Sequence, residues 1–245
     1  VIRIVMPEWL VAVLGLQVGL GIFLGCIALV GKVILTVGGP SLARSEARLA
    51  RNQSGGEQHG WHPGQDTGGL LTAAGRWCFD HAGSVRRVLV GQFEGRRIRM
   101  AEFLHTDGSR LPTASVNNLI AIELPTRLPH LVVHRGPLTD LGLLSFQELE
   151  LQLFEGESGT FNRAYTVGSP DPRYSSAVLH PRMMEWLLAH REVNFRIHAN
   201  LIVAYAPEPW TVPQALATLP VLSGVVDLLP FFVLDDFGQP LPSGS

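Results

Sequence analysis

The chain has 245 residues, 46% of them hydrophobic and only 16% charged, which is enough apolar material for a sizeable core. Its formal net charge is −2, and no extended basic face or nucleic-acid module is visible, so a dedicated nucleic-acid binder is excluded. Lys32 is the single lysine against 18 arginines, so nearly every cation on the surface is a guanidinium.

Residues 1–8 read as a short leader. From Trp9 to Val37 the chain is almost wholly apolar, and between Leu10 and Gly31 the only strongly polar side chain is Gln17. About 20 residues rising ~1.5 Å each cross a hydrocarbon layer about 30 Å thick, so the pattern predicts one transmembrane helix over 9–37. A cleaved secretory signal is the rival reading. Such signals carry an apolar core of about 7–15 residues behind a basic leader. Here the run is longer, Arg3 is offset by Glu8, and Ser41-Leu42-Ala43 is a weak cleavage candidate.

Lys32, at the C-terminal end of the apolar run, and Arg44, Arg48 and Arg51 beyond it outweigh Arg3 on the N-terminal side. The positive-inside rule then puts the C-terminal bulk in the cytoplasm. Within the span, Gly15/Gly19 and Gly21/Gly25 are two Gly-x-x-x-Gly spacings. Small residues so spaced let helix backbones approach, which points to self-association or a partner helix; glycine is also simply common in membrane helices. Cys26 and Cys78 fall in different compartments on this reading, so no intramolecular disulfide is expected.

Residues 38–69 are rich in Gly, Ser and Pro, with Trp61 the one bulky apolar side chain, and read as a flexible linker. His59 and His62 at spacing three lack further ligands nearby. An ordered domain is expected over 70–237. Val85 to Phe93 and Arg96 to Phe103 flank Glu94-Gly95, which suits a β-hairpin. Ser115 to Leu124 alternates, and Leu131 to His134 reads as a separate short strand beyond Pro129. Leu149, Leu151 and Leu153 share a face, as do Phe161, Tyr165 and Val167. Period two over several runs predicts an antiparallel sheet with one covered side.

Asp171-Pro172 and Pro181 read as helix starts, the second followed by an apolar stripe of Met184, Leu187 and Leu188. Phe195–Ile197 and Leu201–Tyr205 read as a terminal hairpin turning at Ala199-Asn200. Thr211 caps a last helix to about Leu229, which Pro220 should kink or split. Residues 238–245 read as a disordered tail. The fold class expected is α+β: an N-terminal transmembrane helix, a linker, and an antiparallel sheet domain with helices on one face.

Four stretches carry a resemblance. They are Val90-Gly91-Gln92-Phe93-Glu94-Gly95-Arg96, Leu124 to Leu131, Glu157 to Arg163, and Leu179-His180-Pro181-Arg182-Met183-Met184-Glu185-Trp186-Leu187-Leu188. Together they resemble a family of uncharacterised actinobacterial single-pass membrane proteins, from about Leu70 to Phe237. The resemblance implies a membrane setting and a related fold, not a mechanism. That family carries acids where Gly159 and Thr160 stand here.

No nucleophile elbow, phosphate loop or dinucleotide fingerprint is present, and no cofactor or metal is expected. His130 and His134 on a strand would stand about 13 Å apart, too far to chelate one metal. Arg86, Arg87, Arg96, Arg97 and Arg99 surround the first hairpin and are candidates for lipid-headgroup or partner contact. The sequence therefore reads as a membrane-anchored binding or assembly module at the inner face of the cytoplasmic membrane. Its expected partners are the bilayer and a membrane protein or a second copy. The alternative is a membrane-tethered enzyme with a site around His180, Arg182 and Glu185.

Overall fold

The computed structural model describes residues 47, 48, 50–65, 70, 83–106, 114–137, 151–190, 193–206 and 211–241. The chain divides between Arg51 and Asn52, and the unit starting at Asn52 contains the sheet and the helices packed on it. The expected transmembrane segment 9–37, with Gly15, Gly19, Gly21 and Gly25, lies outside the described residues, as does Cys78. Among the described residues no helix is long and apolar enough to cross a membrane.

The alternating runs form an antiparallel sheet, and the domain is α+β as the pattern predicts. Strand β1 (His62–Pro63) pairs with β2 (Gly83–Phe93), β2 with β3 (Arg96–Thr106), and β3 with β4 (Ala114–Arg135). Glu94 and Gly95 join β2 to β3 with φ of 50° and 76°, the left-handed pair that a two-residue hairpin turn demands. Strand β5 (Gln152–Phe154) pairs with β6 (Tyr165–Ser169), and β6 pairs with the end of β4.

Strand β7 (Phe195–Ala206) pairs along β4 from Asn118 to Val133. It is not straight. Eleven residues at about 3.3 Å each would carry Tyr205 roughly 36 Å from Asn194. Instead the Tyr205 amide donates to the Asn194 carbonyl oxygen at 3.3 Å, so the strand doubles back. The reversal lies at Ala199, whose φ is 50°. The hairpin expected at Ala199-Asn200 is therefore present, but inside the sheet and not at its end. Strand β4 wraps around it: Ile122 pairs with Ile202 and Val132 with Arg196, with register shifts at Leu128 between them. The two β4 runs expected as separate strands are one, because Pro125 and Pro129 fall in this irregular outer bend, where prolines do not break a ladder.

Among the described residues five helices follow β4: α1 (Gly159–Ala164), α2 (Pro172–Val178), α3 (Pro181–Ala189), α4 (Val212–Leu228) and α5 (Phe231–Asp236). Each contributes to one apolar core with Ile98, Ile120, Ile122 and Ile202 of the sheet, so these helices cover one face. On the other face Phe103, Leu119 and Val203 form a second buried cluster with Leu70.

Several boundaries differ from the sequence expectation. Phe161 belongs to a helix, not a strand, because the Ser158 side chain accepts from its amide and caps α1. Helix α4 is continuous through Pro220, held by a Thr211–Gln214 capping box and by burial of Leu219, Leu222 and Val225. Residues 52–65, expected as linker, are part of the domain, since 52–57 are helical and Trp61 is buried in the core. The tail is docked as far as Gln239, which exchanges backbone hydrogen bonds of 3.0 and 2.8 Å with Arg127.

Candidate functional site

The turn that follows residues 52–57 builds one wall of a groove. The Trp61 amide donates to the Gly56 carbonyl oxygen at 2.8 Å, which throws the indole onto β2. Gly91 makes room for it: a Cβ there would stand 2.4 Å from Trp61 Cδ1. Next in the chain, His62 and Pro63 add the short edge strand β1, and Gly64 runs so close to Val90 that a Cβ would meet it at 2.6 Å. Glycine-rich sequence is read here as close backbone packing, not as looseness.

Between this wall and strands β2–β4 lies a cavity of about 650 Å³, with His59, His62, Gln92, Arg97, Arg99 and Glu123 among its lining. That volume is typical of ligand clefts. Arg99 donates to Glu123 Oε1 through Nε at 3.0 Å and through Nη2 at 2.5 Å. Arg97 approaches the same carboxylate at 3.8 Å, yet its side chain is 75% exposed. The described lining offers imidazole, amide, guanidinium and carboxylate groups for hydrogen bonding and charge recognition.

The five hairpin arginines do not share one face. Arg87 donates to Glu102 at 2.7 Å, with Arg86 beside the same carboxylate at 3.6 Å. Arg96 reaches α4, donating to Asp227 at 2.5 Å and also to Ser223. Only Arg97 and Arg99 border the groove. Each of the five thus has a carboxylate neighbour, and Arg97 presents the most exposed head.

His180 stands at the N-cap of α3 without a side-chain capping bond, and its Nε2–H donates to the Leu228 carbonyl oxygen at 3.0 Å. Arg182 and Glu185 are exposed on α3. Among the described residues no group of three metal-ligating side chains occurs. Neither Glu123 in the groove lining nor the core role of Trp61 behind its wall was expected from the sequence. The available signal was a lone tryptophan among glycines, and a carboxylate closing an otherwise apolar alternating run.

No protein-family model matches the chain. No curated protein resembles it significantly in sequence. Among solved structures, it is similar to the crystal structure of the mycobacterial trehalose monomycolate transport factor A, at 15% identity and a TM-score of 0.47, covering 80% of this chain and 98% of that one. At that level the likeness establishes neither a shared fold nor a shared role.

Proposed function

We propose that the chain is a membrane-anchored, non-catalytic binding module, held by its 9–37 segment at the inner face of the cytoplasmic membrane. The binding reading is carried by one observation: Glu123 is locked by Arg99 and approached by Arg97 in the wall of an open cleft. A carboxylate engaged by Arg99 beside an exposed guanidinium suits recognition of an acidic or polar group. The anchor is supported by the apolar run from Leu10 to Gly31, the arginines after it, and the resemblance to actinobacterial membrane proteins. Arg97 is the hairpin cation best exposed for an anionic headgroup or an acidic partner segment. The glycine spacings at 15/19 and 21/25 support a partner helix or self-association within the bilayer. An enzyme centred on His180, Arg182 and Glu185 has less behind it, since His180 is engaged with α4.

The test is photo-crosslinking in intact cells from a probe at His62, followed by alkaline washing of the membranes. The expected result is a chain retained in the washed pellet, with a discrete His62 adduct that Arg97→Glu abolishes. Release of the unprocessed chain into the wash overturns the anchor; retention without an adduct overturns the groove.

A further inference from the structure

On the sheet face opposite the five helices, the β4–β7 bend brings together side chains of another kind. Arg196 pairs in register with Val132, so the alternation of both strands puts His198, His130 and His134 on its face. His130 and His198 meet edge to face with ring centres 5.5 Å apart. His134 stacks on Tyr205, with Nδ1 3.0 Å from the phenol oxygen. The Arg196 guanidinium lies 5.6 Å from the centre of the Tyr205 ring. Arg196 is only 2% exposed, and its Nε and Nη1 have no hydrogen-bond partner among the described residues.

This is unlike the arginines of β2 and β3, each of which has a carboxylate within reach. The most deeply buried guanidinium of the sheet thus has two nitrogens unsatisfied and no carboxylate within reach among the described residues. A guanidinium cannot shed its proton to escape burial, and an uncompensated buried charge is strongly penalised. The face of Tyr205 offsets part of that penalty but satisfies no N–H.

We propose that Arg196 anchors an anion site for a phosphoryl group, with His130 and His198 as neutral donors and Arg127 at its mouth. Three observations support the assignment. The cluster grades from exposed Arg127 through half-buried His198 to buried His130 and Arg196, so it has an open end. Burial, then the charge of Arg196, then His198 bring the His130 pKa from 6.5 down to about 2, while burial, Arg127 and Arg196 lower that of His198. Both imidazoles are therefore uncharged at neutral pH and offer N–H groups without adding repulsion. A tetrahedral phosphoryl group suits donors arriving from two strands and their bend, whereas one guanidinium fork would suffice for a flat carboxylate. The phosphoryl group has two possible sources, free phosphate and a lipid headgroup, and the free-phosphate arm of the test does not depend on the membrane anchor.

The test follows thermal unfolding of the full-length protein in an uncharged, phosphate-free detergent. Inorganic phosphate is titrated against chloride at matched ionic strength, and mixed micelles containing phosphatidic acid are compared with phosphatidylcholine ones. The expected result is a Tm that rises with phosphate or with phosphatidic acid, and not with the controls. A rise with inorganic phosphate assigns the free anion; a rise confined to phosphatidic acid assigns the headgroup. Arg196→Met should weaken the apparent affinity at least tenfold, yet unfold no earlier than wild type without ligand. His198→Gln, at a half-buried position, should weaken it several-fold. No rise with either ligand, or an undiminished rise in Arg196→Met, overturns the site. Should Arg196→Met not fold, wild-type affinity in His198→Gln overturns it.

Discussion

Tyr205 lies near the end of β7 and Asn194 just before its start, yet the amide of the first donates to the carbonyl oxygen of the second at 3.3 Å. The contact exists because Ala199 adopts φ of 50° and reverses the strand. A left-handed L-residue costs about 1–2 kcal/mol, which glycine avoids. Ala199→Gly should therefore be neutral or stabilising by up to about 1 kcal/mol, after allowing for glycine's freer unfolded chain. Ala199→Val should lose at least about 1 kcal/mol, because branching at Cβ tolerates this backbone poorly. Denaturant unfolding of the two variants checks the pair, and a stabilising valine would contradict the reversal.

The Trp61–Gly91 contact makes a coupled prediction. Gly91→Ala forces the indole aside and should cost about 1–3 kcal/mol. Trp61→Ala empties a buried site and should cost about 3–5 kcal/mol. In the Trp61→Ala background the Gly91→Ala change should cost much less, since the indole contacts at 2.4 and 3.0 Å are gone and only the Trp61 Cα approach at 3.2 Å remains. A double-mutant cycle measures this, and simple additivity would argue that the two do not touch.

Stability should fall on mild acidification. His130 is held neutral in the fold, its pKa about 2 against 6.5 unfolded, and His198 is shifted the same way. Below pH 6.5 the unfolded chain takes up protons that the native state refuses, so folding loses about 1.4 kcal/mol per pH unit for His130 alone. The loss continues down towards the folded pKa, and stability is full above pH 6.5. Comparing Tm at pH 7.5 and 5.0 checks the slope, which His130→Phe should flatten.

Tyr174 is fully buried, and its hydroxyl has no hydrogen-bond partner among the described residues. Burial pushes its phenol above the ordinary value. Its ring packs on Phe237 with centres 5.3 Å apart. Tyr174→Phe keeps that packing and removes an unsatisfied polar atom, so it should be neutral or stabilising by about 1 kcal/mol. Calorimetry of the variant checks the sign.

Periodicity made the central strands and the capped helices legible. Alternation at Phe195–Ile197 and Leu201–Tyr205 located both arms of β7, and Asp171-Pro172 and Thr211 located helix starts. What alternation cannot convey is which arms become neighbours, so the nesting of β7 inside β4 was invisible. Composition misled at residues 52–65, because glycines there serve a tight approach around Trp61. At Phe161, one capping serine outweighed a period-two pattern. The groove joins His62 to Glu123 across distant strands, and no local spacing encodes that.

The nesting of β7 also sets an order of events during synthesis. Strands β2, β3 and the first part of β4 emerge early, but the strand that completes the far side of β4 begins at Phe195, sixty residues after β4 ends at Arg135. Until then the nascent chain carries an open sheet margin lined by Ile120 and Ile122, a template for pairing with other chains. At roughly 5–20 residues per second that interval lasts several seconds on the ribosome. Shielding of that margin during synthesis is thus a need of this topology.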